Sequence, residues 1–368
     1  MRIGMDVMGG DHAPDAILKG SLAALAHLPS EDRLVLVGDR AIIEDTLRER
    51  GVRDPRLEVV HASEVIGMDD TPVEAVRTKR DSSINVCARM ASAKDANPLD
   101  AWISAGNTGA CVAASQMFMK RLPNVHRPGI AVTVPTFSGP VVLIDVGANI
   151  EPKPHHLAQY GVMGDAYARQ ILGIRNPRVA LMNVGGEEAK GTADMKQARD
   201  LLRRAEGLNF TGYIEGRAVF DGEADVVITD GVVGNVMIKL AEGLSSGIFK
   251  ALAREVFEID PELAMRLEPV VKSLYAKHDY HEYGGAPLLG VNGVCLISHG
   301  SSVARTMTNA IIRARQFVLS RVNDVITTRL AAMEAQVQAQ QLQGQLDDQA
   351  GSSGDPKPAP IRAAQPNG

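Results

Sequence analysis

Short runs of β-branched and aliphatic residues recur along the chain, and each ends in a polar turn punctuated by glycine. Ile3 to Val7 leads into Gly9-Gly10-Asp11-His12, and Trp102-Ile103 leads into Ser104-Ala105-Gly106-Asn107-Thr108-Gly109. Val141 to Val146 meets Gly147-Ala148-Asn149, and Val179 to Val184 meets Gly185-Gly186-Glu187-Glu188. Val226 to Ile228 meets Thr229-Asp230-Gly231, and Val294 to Ile297 meets Ser298-His299-Gly300. Runs of this kind are buried on both faces, which places them in a mainly parallel sheet covered by helices. Ligands of such sheets bind beyond the carboxyl ends of the strands, where glycine lets backbone approach closely. The recurrence predicts one polar cleft lined by backbone N–H groups and short polar side chains, which is the layout of an enzyme.

The segments between the runs carry helical patterns. Residues 1–100 read as β-α-β-α-β-α, with helices over Asp15 to His27, Ala41 to Arg50 and Pro72 to Ser92. Gly109 to Lys120 and residues 155–172, 189–206 and 301–319 read as further helices. The Phe137-Ser138-Gly139-Pro140 turn joins an antiparallel hairpin within Ile130 to Val146, so the sheet is mixed. The fold class is therefore α/β, a three-layer α/β/α arrangement in a single catalytic domain over residues 1–330.

Leu240, Leu244, Ile248, Leu252 and Val256 fall four residues apart, and after Pro261 a second stripe follows at Leu263, Leu267, Val271 and Leu274. This predicts a projecting amphipathic helical hairpin inserted at about 240–278, packed on the body, on a partner subunit or against a membrane interface. Beyond Glu334 the composition turns to Gln, then Gly, Ser, Pro and Asp. Residues 331–368 are expected to form a disordered tail, because such a segment buries too little apolar surface to offset its ordering entropy.

Charge and cysteine content narrow the function classes. A net charge of -5, without basic and aromatic residues interleaved, excludes a general nucleic-acid footprint. Cys87, Cys111 and Cys295 show neither metal-ligand nor disulfide spacing, which fits a reducing cytosol. Asp6 inside the first apolar run argues against a signal peptide, and no apolar run approaches the roughly 20 residues of a spanning helix.

The Ser104 to Gly109 turn offers hydroxyls and free N–H groups at a helix start, a ready anion site, or a simple N-cap. It matches neither a phosphate-binding lysine loop nor the dinucleotide glycine fingerprint. Asp230 either meets a ligand or caps the helix that carries Asn235. Lys190 neutralises a bound phosphate or forms a solvated pair with Glu187. Ser298, His299, Gly300 and Ser301 gather an imidazole, hydroxyls and helix-start N–H groups, making His299 the best proton carrier near neutral pH. Asp6, Asp11 and His12 lack a metal-ligand spacing, and Cys111 and Cys295 read as small core residues.

Met5-Asp6-Val7-Met8-Gly9-Gly10-Asp11 with Ala13-Pro14, the Ser104 to Gly109 turn, Asp145 to Asn149 and Asp230 to Asn235 together resemble one family. So do Tyr283 to Gly290 and His299-Gly300-Ser301-Ser302 followed by Asn309-Ala310-Ile311. The family is the phosphate acyltransferases of bacterial phospholipid synthesis. The resemblance implies a fold similar to isocitrate and isopropylmalate dehydrogenases and to phosphotransacetylase. It also implies a homodimer that moves a long-chain acyl group from acyl carrier protein to inorganic phosphate. The acyl phosphate would serve a membrane glycerol-3-phosphate acyltransferase, from a cytoplasmic enzyme associated peripherally with the cytoplasmic membrane. No cofactor or metal is implied, since thioester and acyl phosphate are both activated acyl groups. The expected catalytic residues are His299, Lys190, Asp230 and Asn235. Phosphate and oxyanion binding is expected at Ser104, Gly106, Asn107, Thr108, Gly109, Ser298, Gly300 and Ser301. Basic residues Arg121, Arg127, Lys250, Arg254 and Lys272 are expected to dock the acidic carrier protein. The alternatives are a phosphotransacetylase-like enzyme using acyl-coenzyme A, an NAD-dependent decarboxylating dehydrogenase on the similar fold, and a non-catalytic scaffold.

Overall fold

The apolar runs assemble into one eleven-stranded sheet, in a computed structural model that describes residues 1–136, 138–277 and 284–352. In chain order the strands are β1 (Arg2–Asp6), β2 (Arg33–Gly38), β3 (Leu57–His61), β4 (Ala101–Ser104), β5 (Gly129–Thr136) and β6 (Gly139–Ile144). They continue with β7 (Val179–Met182), β8 (Phe210–Ile214), β9 (Val226–Ile228), β10 (Ala286–Leu289) and β11 (Cys295–Ile297). Their spatial order is β3-β2-β1-β4-β11-β10-β5-β6-β9-β7-β8.

Strand direction reverses across the middle of this sheet. β3, β2, β1, β4 and β11 run parallel to one another. β10 runs against both β11 and β5, and β5 runs against β6 through the expected hairpin. From β6 outward, β9, β7 and β8 are parallel again. The two parallel halves therefore point opposite ways. The turns after β1, β4 and β11 open on one edge, and those after β6, β7 and β9 open on the other.

Helices cover both faces, giving the three layers that the chain pattern predicts. They are α1 (Asp15–Ala24), α2 (Arg40–Glu49), α3 (Pro72–Thr78), α4 (Ser83–Met90), α5 (Thr108–Ala114) and α6 (Pro154–Leu172). After them come α7 (Ala193–Arg204), α8 (Gly231–Ile259), α9 (Pro261–Lys277), α10 (Ala304–Ser320) and α11 (Val322–Ser352). Strand alternation sends Ile3, Ala131, Ile144 and Leu296 into one core with residues of α1, α6, α7, α10 and α11. The opposite side chains, among them Trp102, Ile130 and Ile297, pack beneath α3, α4 and α5. Val141, Leu143 and Val227 form a smaller cluster that reaches Met237 and Ile238 of α8.

Three local expectations change. The single helix over Pro72 to Ser92 is two helices, because Asn85 Nδ2 donates to Val76 O at 2.9 Å and Lys79 O at 2.8 Å and so closes α3. The hairpin exists as α8 and α9, but α8 starts at Gly231, directly after Asp230. It is also the one described helix long and apolar enough, by length and composition alone, to cross a membrane. Residues 331–352 are helical as the continuation of α11, not a disordered tail. Ala and Gln are good helix formers. Val322, Ile326 and Leu330 anchor the first turns in the core, and buried Asp165 accepts from Arg169 Nε at 2.8 Å and from Arg329. Phe137, Tyr283, residues 353–368 and the side chain of Leu274 lie outside what is described.

Candidate active site

Three turns interlock where β1, β4 and β11 end. Gly9 lies so close to the neighbouring turn that a Cβ on it would stand 2.8 Å from the Gly106 nitrogen and 2.3 Å from Asp6 Oδ2. The Asp11 N–H donates to Gly300 O, and the Ser298 N–H to Ser104 O, both at 2.8 Å. Beneath them fully buried Asp6 accepts from Ser104 Oγ at 2.6 Å and from the Met8 N–H at 3.2 Å. Ser104 Oγ in turn accepts from the Gly106 N–H at 2.9 Å. Burial pushes the Asp6 carboxyl above its usual range, opposed by these hydrogen bonds.

This framework reassigns most of the Ser104 to Gly109 turn. Ser104 and Gly106 hold the turn together from inside. Asn107 caps α5, its Oδ1 accepting from the Ala110 N–H at 3.0 Å. Its Nδ2 donates to the carbonyls of Gly67 and Met68 at 3.2 Å and Asp70 at 3.0 Å, so both ends of the amide are engaged. Gly109 is small because a Cβ would come within 2.6 Å of Pro72. Only Thr108 of this turn lines the cavity described below.

The other half of the sheet supplies a second framework. Asp145 is buried at the end of β6 and accepts from the N–H groups of Ile130, Ala148 and Asn149 at 2.9, 3.1 and 2.6 Å. Burial raises its pKa against those bonds. The turn it shapes seats the start of α8. A Cβ on Gly231 would lie 2.5 Å from Asn149 O, and one on Gly234 only 2.1 Å from Asp145 O. Asp230 is the N-cap, its Oδ1 accepting from Val232 and Val233 at 2.9 and 2.8 Å. That hydrogen bonding gives it the capping role among its two sequence-level readings.

Between these frameworks lies a cavity of about 400 Å³. Asp11, Thr108, Ser298, His299 and Gly300 line it from one half, and Gly147, Asn235 and Lys239 from the other. The turns from opposite edges thus meet over the face of the sheet instead of along one rim. Ser298 is only 3 % exposed, and its hydroxyl has no hydrogen-bond partner among the described residues. The Ser301 N–H donates to His299 Nδ1 at 3.2 Å, and the Ser301 hydroxyl lies 2.8 Å from the same nitrogen. An accepting Nδ1 places the proton of the neutral ring on Nε2.

Lys190 stands apart from this wall. It pairs with Glu187 at 2.8 Å in the exposed loop after β7 and does not line the cavity. Lys239 does line it, and the chain pattern did not single it out, although it sits one helical turn beyond Asn235. All three cysteines are buried. Burial raises the thiol pKa of Cys87 and Cys111, and that of Cys295 to about 12, so none is poised as a thiolate.

The proposed docking residues are also constrained. Arg254 pairs with Glu258 at 2.8 Å and Lys272 with Glu268 at 2.6 Å, each within its own helix. Residues 231–277 hold six basic and six acidic side chains, so Lys250, Arg254 and Lys272 sit on a charge-balanced hairpin. Arg121 donates to the His126 carbonyl, and Arg127 is exposed. What the hairpin does display is apolar, with Leu240, Leu244, Ile248 and Phe257 all exposed.

This fold is similar to that of phosphotransacetylases. A phosphotransacetylase from Streptococcus pyogenes superposes with a TM-score of 0.57 at 17% identity, over 86% of this chain and 93% of that one. The EutD phosphotransacetylase from Staphylococcus aureus gives 0.55 at 14% identity, over 88% and 94%. Sequence comparison is more specific. Residues 1–325 match the family model described as "Fatty acid synthesis protein". The phosphate acyltransferase of Nitratidesulfovibrio vulgaris is 42% identical over 334 residues, covering 90% of this chain and 95% of that relative. The phosphate acyltransferase of Heliobacterium modesticaldum is 46% identical over 322 residues, covering 86% and 94%. The chain belongs to this family of phosphate acyltransferases.

Proposed function

We propose that this protein transfers a long-chain acyl group from acyl carrier protein to inorganic phosphate, releasing the carrier thiol and forming an acyl phosphate. One observation carries the reading. The Ser298 hydroxyl lies on the cavity wall, buried and unpartnered among the described residues, with His299 and Gly300 on the same wall. An orphaned buried hydroxyl costs about 1–3 kcal/mol, which a phosphate oxygen bound there would recover.

In this mechanism a phosphate oxygen attacks the thioester carbon directly. A C–O bond forms, the carbonyl oxygen gains charge, and the C–S bond then breaks. Phosphate is already ionised at neutral pH and needs positioning more than deprotonation. Thr108, Ser298 and Lys239 hold the anion. The Gly300 N–H stabilises the developing oxyanion, a donor type worth about 2.7–4 kcal/mol. His299 Nε2–H donates a hydrogen bond to the departing sulfur, and the proton lost by the attacking hydrogen phosphate ends on the thiolate. The raised cysteine pKa values favour direct attack over an acyl-cysteine intermediate.

The exposed stripe on α8 and α9 then serves a second copy of the chain in a homodimer and contact with the cytoplasmic membrane. There the acyl phosphate passes to a membrane glycerol-3-phosphate acyltransferase. The test is purified protein with palmitoyl acyl carrier protein, with and without phosphate, followed by hydroxylamine. Phosphate-dependent hydroxamate is expected. Thioester that survives with phosphate, or that is lost equally without it, overturns the reading.

A further inference from the structure

The cavity has an apolar floor that the phosphate chemistry does not use. Ile130 and Val132 of β5, Ala286 of β10, Ile297 of β11 and Val146 after β6 all project from the α5/α8 face of the sheet and line it. Register explains the continuity. Ala286 pairs with Ile297, and Leu288 with Ile130, so these side chains form adjacent rows on one face. Val132 and Val146 pack against both the cluster under α5 and the cluster under α8. They stay only half-buried, as does Ala286. Ile238 of α8 faces the same cavity from its other wall.

We infer that this strip is the seat of the substrate's alkyl chain, with Val132 and Ile238 setting how much of it is accommodated. The inference rests on the acyl transfer proposed above and places the chain on the sheet floor, not along the exposed hairpin stripe. The argument is continuity. The thioester carbon must lie beside Ser298 and Gly300, and from there the apolar surface inside the same cavity begins at Ile297. A cavity of about 400 Å³ falls within the range that encloses small ligands. Each methylene fully buried there is worth about fourfold in affinity.

The experiment compares palmitoyl and butyryl thioesters of the same carrier in phosphate-dependent turnover by wild type and Val132→Phe. The palmitoyl-to-butyryl ratio of kcat/KM is expected to fall at least tenfold. An unchanged ratio in a folded variant overturns the slot and moves the chain to the hairpin. Should Val132→Phe fail to fold, Ile238→Phe fills the slot from the opposite wall and must give the same shift. If wild type turns over neither thioester, the proposed function fails separately. The slot is then judged by the fluorescence of bound cis-parinaric acid: weaker binding to either variant supports it, and equal binding refutes it.

Discussion

Removing the Asp6 carboxylate tests whether the buried framework under the site governs phosphate binding. Asp6 and Ser104 are both fully buried, and the carboxylate accepts from Ser104 Oγ at 2.6 Å and the Met8 N–H at 3.2 Å. Asp6→Ala leaves those two donors without an acceptor and without water. At about 1–3 kcal/mol per orphaned group the gross cost is about 2–6 kcal/mol. Part of this is offset, because burial already disfavours the charged carboxylate, so the net expectation is about 2–4 kcal/mol. In urea that is a midpoint lower by roughly 1 M. Ser104 also anchors the Gly106 N–H, so the turn carrying Thr108 loosens. Activity should then fall about 10–100-fold in kcat/KM for phosphate. The pH dependence has a definite sign. A carboxyl whose folded pKa lies above the ordinary 3.8 keeps its proton longer in the native state. Its contribution is therefore fullest below that value and is lost as pH rises through the folded one. Asp6→Asn removes that dependence. An Asp6→Ala protein with wild-type urea midpoint and wild-type phosphate dependence would refute the coupling.

Other outcomes follow from the same structure. His156 is held near a pKa of about 4 by burial and then by His155 and Arg127, and its Nδ1 accepts from the Lys153 N–H at 3.0 Å. Its stabilising effect is present above 6.5 and is lost as pH falls toward 4, by about 2–3 kcal/mol; urea midpoints at pH 7.5 and 4.5 check this, and His156→Gln should flatten the difference. Gly234→Ala places a Cβ 2.1 Å from Asp145 O, so despite the better helix propensity it should destabilise by about 1–3 kcal/mol and shift α8. A urea midpoint that rises instead would contradict the seat described for that helix. Cys87, Cys111 and Cys295 are all buried, so Ellman's reagent at pH 8 should label none until the protein is unfolded; rapid labelling of the native protein would show an accessible thiol.

Much of the fold was legible because it is local. A buried strand between helices reads as a short apolar run, which located the central strands, and Phe137 to Pro140 announced the hairpin of β5 and β6. Caps at Asn107 and Asp230 were visible as residue types at helix starts, though the sequence left them open between capping and binding. β8 and β10 escaped notice, since Phe210–Ile214 is interrupted by Gly212 and Ala286–Leu289 begins Ala-Pro. The extent of α11 also escaped, because composition alone does not tell a solvated tail from a helix pinned by Asp165 and Arg329.

The sequence by itself determined which segments become strands, which turns carry polar backbone, and which family the motifs resemble, since each depends on neighbours a few residues apart. Only the tertiary structure decided which turns meet. The three successive antiparallel pairings from β11 through β10 and β5 to β6 send the two halves to opposite edges, so Thr108, Ser298 and Asn235 converge over the sheet face while Lys190 stays outside. The tertiary structure also turned Asn107 inward and brought Lys239 to the cavity. Such outcomes depend on strand order and direction, set by contacts between residues a hundred or more positions apart, and no local pattern encodes them.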